Sequence, residues 1–196
     1  QALPLHRAVS NRDGEATSLN NMGEVWRIQG EWRKALEYYE QALSLYHIVG
    51  NRGSEAMMLD NSGKTWFSLG QVRKALELFE QALPLRRAVG DRGGEASTLN
   101  NMAALYFQDG NLPAALDFWQ QSLLIVQNIG AIGQEAVYLF NIAHVYEGMG
   151  QIADAIQFGE TGKAILVEHK LLQSTAGVTI EKYDALLVRL REKQEQ

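Results

Sequence analysis

The 196-residue sequence predicts an all-α protein: an α-solenoid in which antiparallel helix pairs stack into a superhelix, with four full repeats, a partial repeat before them and a capping helix after. Three observations carry this prediction. Asn21, Asn61, Asn101 and Asn141 are spaced by 40 residues each time. The same offset carries Trp26 to Trp66, Tyr106 and Tyr146, Gly30 to Gly70, Gly110 and Gly150, and Ala35 to Ala75, Ala115 and Ala155. Within one unit the apolar steps are helical: Ala16, Leu19, Gly23 and Trp26 follow at 3, 4 and 3 residues, and Ala35, Tyr39 and Ala42 at 4 and 3.

Taken in order, residues 1–11 ("QALPLHRAVSN") align with residues 81–91 and read as the second half of a helix pair, so the chain is expected to begin inside a repeat of a longer array. Full repeats are expected at 12–50, 51–90, 91–130 and 131–170, each a helix A followed by a helix B. Glycines at 30, 70, 110 and 150 suit the left-handed position that ends helix A, and those at 50, 90 and 130 end helix B in the same way. Asn51 and Asp91 are placed to cap the next helix A, with Glu55 and Glu95 in its first turn. Pro84 falls inside a helix B and is expected to bend it, whereas Pro113 falls in a first turn, where proline is tolerated. In the fourth repeat the pattern decays, with Gly159 and Gly162 where an aromatic residue and Ala are expected. Residues 171–196 then read as one long helix from Leu171 to about Lys193, with Leu186, Leu187 and Leu190 inward and a charged tail behind.

Composition narrows the function. With 46% hydrophobic and 21% charged residues the chain is globular, and a net charge of −5 argues against a nucleic-acid partner. There is no cysteine, hence no disulfide, thiol nucleophile or thiolate metal site. No apolar run approaches the roughly 20 residues of a membrane span, so a protein of the cytoplasm without a membrane partner is expected. Gly63-Lys64-Thr65 resembles the end of a phosphate loop, but Met58 stands where that loop needs its first glycine. His144 and Glu147 share a helix face without a third ligand, and no nucleophile stands at a recognisable spacing from a base. Neither an enzyme nor a metal or other cofactor is expected.

The spacing of small and aromatic residues in each helix pair, with Gly23, Gly63, Ala103 and Ala143 beside Trp26, Trp66, Tyr106 and Tyr146, resembles the tetratricopeptide repeat. Forty-residue units with an "LNN" element are similar to the variant in kinesin light chains, in Leu-Gly-Asn repeat proteins and in arrays beside bacterial signalling domains. Armadillo and HEAT arrays have comparable periods but lack this spacing. The resemblance implies that the A helices line a concave groove, and it places peptide-binding positions at Asn20, Asn21, Glu24 and Arg27 of the first unit. It places others at Asn61, Lys64 and Phe67, at Asn100, Asn101 and Phe107, and at Phe140, Asn141 and His144. The family's carboxylate clamp, which needs several Lys or Arg residues on helix A, finds only Arg27 and Lys64 among acidic neighbours. Phe67, Phe107 and Phe140 point instead to apolar anchoring of the partner.

Asn is a mediocre helix former, so four of them at one mid-helix position need a reason. Its amide carries both a donor and an acceptor and matches a peptide backbone, so a ladder of four would hold an extended chain. The alternative is that each Asn bonds to a neighbouring helix and orders the stack. Two function classes follow: a scaffold that binds an extended peptide segment of a protein partner, or an architectural spacer or self-association module of a larger signalling protein. Leu3, Leu5 and Val9, exposed in a half-repeat, would make a homo-oligomer through that end.

Overall fold

The structure, a computed structural model, describes residues 11–171, 174 and 176–195. Among these residues it forms nine helices. Helices A and B alternate as α1 (Arg12–Ile28), α2 (Trp32–Val49), α3 (Arg52–Ser68), α4 (Val72–Ala88), α5 (Arg92–Gln108), α6 (Leu112–Asn128), α7 (Ile132–Gly148) and α8 (Ile152–Glu168), followed by α9 (Ile180–Gln194). The helix starts of successive units repeat at 40 residues, as the sequence period requires. The half-repeat expected over residues 1–11, including Leu3, Leu5 and Val9, lies outside the described residues except for Asn11, whose side chain caps α1 by accepting from Gly14 N at 2.9 Å.

Each helix A ends in the same turn. Gly30 adopts φ +79°, and the Glu31 N–H bonds back to the Trp26 carbonyl at 2.9 Å; Gly70 repeats this at φ +73° with Gln71 and Trp66. A side chain at such a φ is strained, which is why glycine recurs every 40 residues. Side-chain oxygens cap the starts of α3 and α5: Asn51 accepts from Ser54 N at 3.1 Å, and Asp91 from Gly94 N at 2.8 Å. Pro113 lies in the first turn of α6, and α4 continues through Pro84 to Ala88.

The chain divides into two compact units, residues 1–101 and 102–196, with the boundary inside α5. In the first, α1 packs on α2, α2 on α3 and α3 on α4. Its core gathers Ala16, Leu19, Ala35, Tyr39, Ala42, Tyr46 and Met58, with a second cluster of Ala56, Leu59 and Ala82. The small residues of helix A act on the aromatic residue of their own helix B. A Cβ added at Gly23 would lie 2.5 Å from the Tyr39 ring, and one at Gly63 2.6 Å from the Phe79 ring. The ring filling the space at the glycine therefore comes from helix B. Trp26 and Trp66, expected beside the glycines, are instead half-buried, under the ammonium groups of Lys34 (4.4 Å) and Lys74 (4.1 Å).

In the second unit α6 packs on α7, α7 on α8 and α8 on α9. The helix expected to run from Leu171 is shorter and begins at Ile180. Ser174 and Val178 bond to one another, Gly177 takes φ +70°, and the Thr179 hydroxyl caps α9 by accepting from Lys182 N at 3.3 Å. A left-handed residue followed by a hydroxyl cap starts a helix afresh. Leu186, Leu187 and Leu190 are buried, as expected. The decay of the repeat at Gly159 and Gly162 has a steric origin. A Cβ at Gly159 would lie 3.0 Å from Leu187, and one at Gly162 would collide with the Tyr183 hydroxyl, so the glycines make room for α9.

Gly63→Ala is expected to lower stability by about 1–3 kcal/mol, because Phe79 must leave its rotamer to admit the methyl group. Thermal unfolding of the purified variant checks this, and an unchanged midpoint would refute the close-contact role.

Candidate functional site

In the first unit the A helices and the end of α4 line a concavity of about 410 Å³. α1 contributes Asn20 and Glu24; α3 contributes Met57, Asp60, Asn61 and Lys64; α4 contributes Arg86; and α5 contributes Gly94, Ser97 and Asn101. These positions recur at three- and four-residue steps, so one helix face delivers them from each repeat.

Most of its charges are already engaged. Glu24 accepts from Arg27 Nη2 at 2.8 Å and from the Tyr39 hydroxyl. Burial raises the Glu24 pKa, but these donors outweigh it and hold the carboxyl below its ordinary range. Tyr39 is pushed upward by burial and by Glu24. Asp60, 5% exposed, accepts from Arg86 Nη2 at 2.8 Å and from the Thr98 hydroxyl at 2.8 Å, while Arg86 Nη1 reaches Asp91 at 2.5 Å. Burial raises the Asp60 pKa against the opposing pull of Arg86. Lys64 stands in the concave wall and is exposed. Desolvation lowers its pKa, opposed by the fields of Asp60 and Glu24.

The four repeated asparagines do not share one environment. Asn61 is 8% exposed and its amide donates to Asn20 Oδ1 at 3.3 Å, tying α3 to α1. Asn101 is half-buried and lines the concavity with Asn61. Asn21 is exposed and lies apart from them, in a shallow apolar depression with Met22, Val25 and Trp26. Asn100 is half-buried in the same unit. Arg27 is committed to Glu24, and Phe67 is half-buried outside the lining of the concavity.

In the second unit Asn141 is half-buried on α7. Phe107 is 38% exposed and tilts against Trp119 at 5.7 Å. The Phe140 ring meets His144 edge-on at 4.7 Å and Tyr183 of α9 at 5.1 Å. The Tyr183 hydroxyl donates to the Ala136 carbonyl. Glu147 receives Arg189 Nη2 at 2.7 Å and Lys193 Nζ at 2.7 Å, both from α9, with His144 Nδ1 at 3.4 Å. Phe140 and His144, read as ligand contacts, are thus already in contact with the chain's own residues. Among the described residues no group of three or more His, Cys, Asp or Glu side chains could hold a metal ion.

The sequence places Asp60 among the groove positions of its repeat but gives no role to Arg86, Thr98 or Gly94. The signal was present as broken periodicity: Asp60 stands where other units have Asn20, Asn100 and Phe140, and Arg86 where they have Tyr46, Val126 and Leu166. A Cβ at Gly94 would lie 2.7 Å from Arg86 Cδ, so Gly94 clears the path of the arginine.

Glu147 supplies a pH dependence. Burial raises its pKa, but the hydrogen bonds of Arg189 and Lys193 win and lower it from 4.5. A depressed carboxylate contributes stability above its unfolded pKa and loses it as pH falls through the folded value. Glu147→Gln should therefore melt below the parent at neutral pH, and the two melting curves should converge in acid below pH 4.5. Melting curves measured across that range check the sign.

The tetratricopeptide repeat model matches residues 1–47, 14–88, 54–123 and 94–166. BtubC (BKLC) from P. vanneervenii is similar in structure at TM-score 0.75 and 20% identity, over 82% of this chain and 66% of that one. The nearly identical repeats of a putative kinesin light chain from Podosopora anserina are similar at TM-score 0.73 and 18% identity, over 92% and 87%. Aspartyl phosphate phosphatase F from Bacillus subtilis is similar at TM-score 0.83 and 14% identity, over 94% of this chain and 48% of that one. The chain thus spans about two thirds of the first of these and about half of the last, and at such identities the likeness concerns the fold. No curated protein matches the sequence. With family matches running from residue 1 to 166 and the helix pairs described above, the chain belongs to the tetratricopeptide repeat family.

Proposed function

We propose that this protein-interaction scaffold binds an extended peptide segment of a partner protein against its A helices. The observation that supports the reading is the concavity of the first unit, where three successive A helices bring the amides of Asn20, Asn61 and Asn101 to one place. A primary amide offers a donor and an acceptor and pairs with either half of a peptide bond, so such a row holds a main chain without reading its side chains. Tetratricopeptide arrays are typically non-catalytic, and no helix among the described residues is long and apolar enough to cross a membrane.

The Asn61–Asn20 bond supports part of the ordering role as well, so the two asparagines best placed for a test behave differently. Asn61→Ala loses a bond between α3 and α1 and should cost about 0.5–1.5 kcal/mol of stability. Asn101→Ala should leave the stability within about 0.5 kcal/mol of the parent. Peptides selected from a random display library on the purified chain provide the ligand, and calorimetry reads their affinity. The reading expects both variants to weaken binding, Asn101→Ala without loss of stability. Retained affinity in Asn101→Ala, or a selection that yields no saturable peptide, would leave the architectural role instead.

A self-association role draws on a different face. On α1, Met22, Val25 and Ile28 are 37%, 53% and 76% exposed beside the half-buried Trp26. If copies join there, sedimentation should show concentration-dependent mass that Val25→Asp abolishes. A constant monomer mass in the parent chain would end that reading.

A further inference from the structure

Resting on the peptide-groove reading, we infer that Arg86 sets the charge preference of the first-unit concavity: by holding Asp60, it keeps Lys64 available to receive a carboxylate of the bound segment. Among the described residues, Lys64 is the lining cation without an ion pair. Glu24 already accepts from Arg27 and Tyr39, and Asp60 from Arg86 and Thr98. A cationic ligand would need one of these acceptors and would have to displace an arginine. An anionic ligand needs donors, and those are present. The Lys64 ammonium offers up to three hydrogens, and Asn20, whose oxygen accepts from Asn61, has its amide hydrogens left to give.

The arginine is what prevents self-cancellation. Asp60 and Lys64 stand four residues apart on α3, the acidic residue first, which is the favourable arrangement for an intrahelical ion pair. Arg86 outcompetes that pair because it meets Asp60 with two of its guanidinium nitrogens, at 2.8 and 3.3 Å, and is itself anchored by Asp91. Gly94 leaves the space in which its side chain lies. The other units carry no Asp at the position of Asp60 and no Arg at that of Arg86, so the device belongs to this junction alone. Arg86 is thus a positioning residue, acting through Asp60 on Lys64.

Three capped pentapeptides test the inference: Ala-Ala-Asp-Ala-Ala with both ends blocked, the same with Asn in place of Asp, and penta-alanine with a free carboxyl end. Binding is read from the side-chain amide NMR signals of Asn61 and Asn101. The Asp peptide, the free-carboxyl peptide or both should bind about tenfold more tightly than the blocked Asn peptide, the magnitude of one charge-assisted hydrogen bond. Which of the two does so tells a side-chain carboxylate from a chain terminus. Lys64→Ala should erase the preference while the variant melts like the parent. Arg86→Met should also erase it, because Asp60 then turns to Lys64. The double variant Arg86→Met/Asp60→Asn should restore it, which a merely structural role of Arg86 does not predict. Failure of both the Asp peptide and the free-carboxyl peptide to bind more tightly than the Asn peptide, or a preference that survives Lys64→Ala, overturns the inference and leaves peptide binding standing. Silence from all three peptides overturns it too, whereas the groove reading stands or falls on the display-selected peptides.

Discussion

The contact on which the repeat depends is the meeting of a glycine on helix A with an aromatic ring on helix B. At Gly23 and Gly63 the missing side chain lets Tyr39 and Phe79 lie against the backbone of the facing helix. Interiors are packed at crystal density, so at these two positions an added methyl group must displace the facing ring or the helix that carries it. The separation of each pair then sets where its A-helix face stands relative to the next. Asn20 and Asn61 bond across adjacent repeats because both faces are brought within hydrogen-bond reach, at 3.3 Å. The recognition surface is in this sense a by-product of how closely two helices can approach.

The architecture was legible because it is written in periodic signals. The glycines that end each helix A recur at one interval, so an error at one position is corrected by the other three. Pro113 and the inward leucines of α9 were readable for similar local reasons. The amphipathic spacing extends back to Leu171 and so predicts too early a start for α9, whereas Gly177 and Thr179 carry the real boundary. Trp26 and Trp66 stand three residues from the glycines in sequence, yet Tyr39 and Phe79 are the rings that meet them, since a period says which residues are equivalent without saying which neighbour each one meets.

The candidate site was less legible because what distinguishes it is departure from the period. Asp60, Arg86 and Thr98 lie 26 and 38 residues apart in sequence and meet only once three helices are stacked. Each alone reads as a surface charge or an ordinary helical hydroxyl. A buried carboxylate with a raised pKa is held at such a place by its partners, and partners drawn from different helices leave no local trace. The asparagine ladder shows the converse limit: equal positions in the repeat became unequal environments, with Asn61 buried and Asn21 exposed.

The Gly162–Tyr183 contact bears on how such a chain is lengthened or recombined. In the first unit the glycine sits on helix A and the large ring on helix B; at α8 and α9 the sizes are exchanged, with the glycines on helix B and the ring on the helix that follows. An internal helix pair duplicated between its neighbours meets its own kind on both sides. The pair α7–α8 does not, because the hollow at Gly159 and Gly162 fits Leu187 and Tyr183 and would be left as a void beneath an ordinary helix A. Exchanging α9 for an ordinary helix A would leave that void, whereas moving residues 132–194 together keeps both contacts.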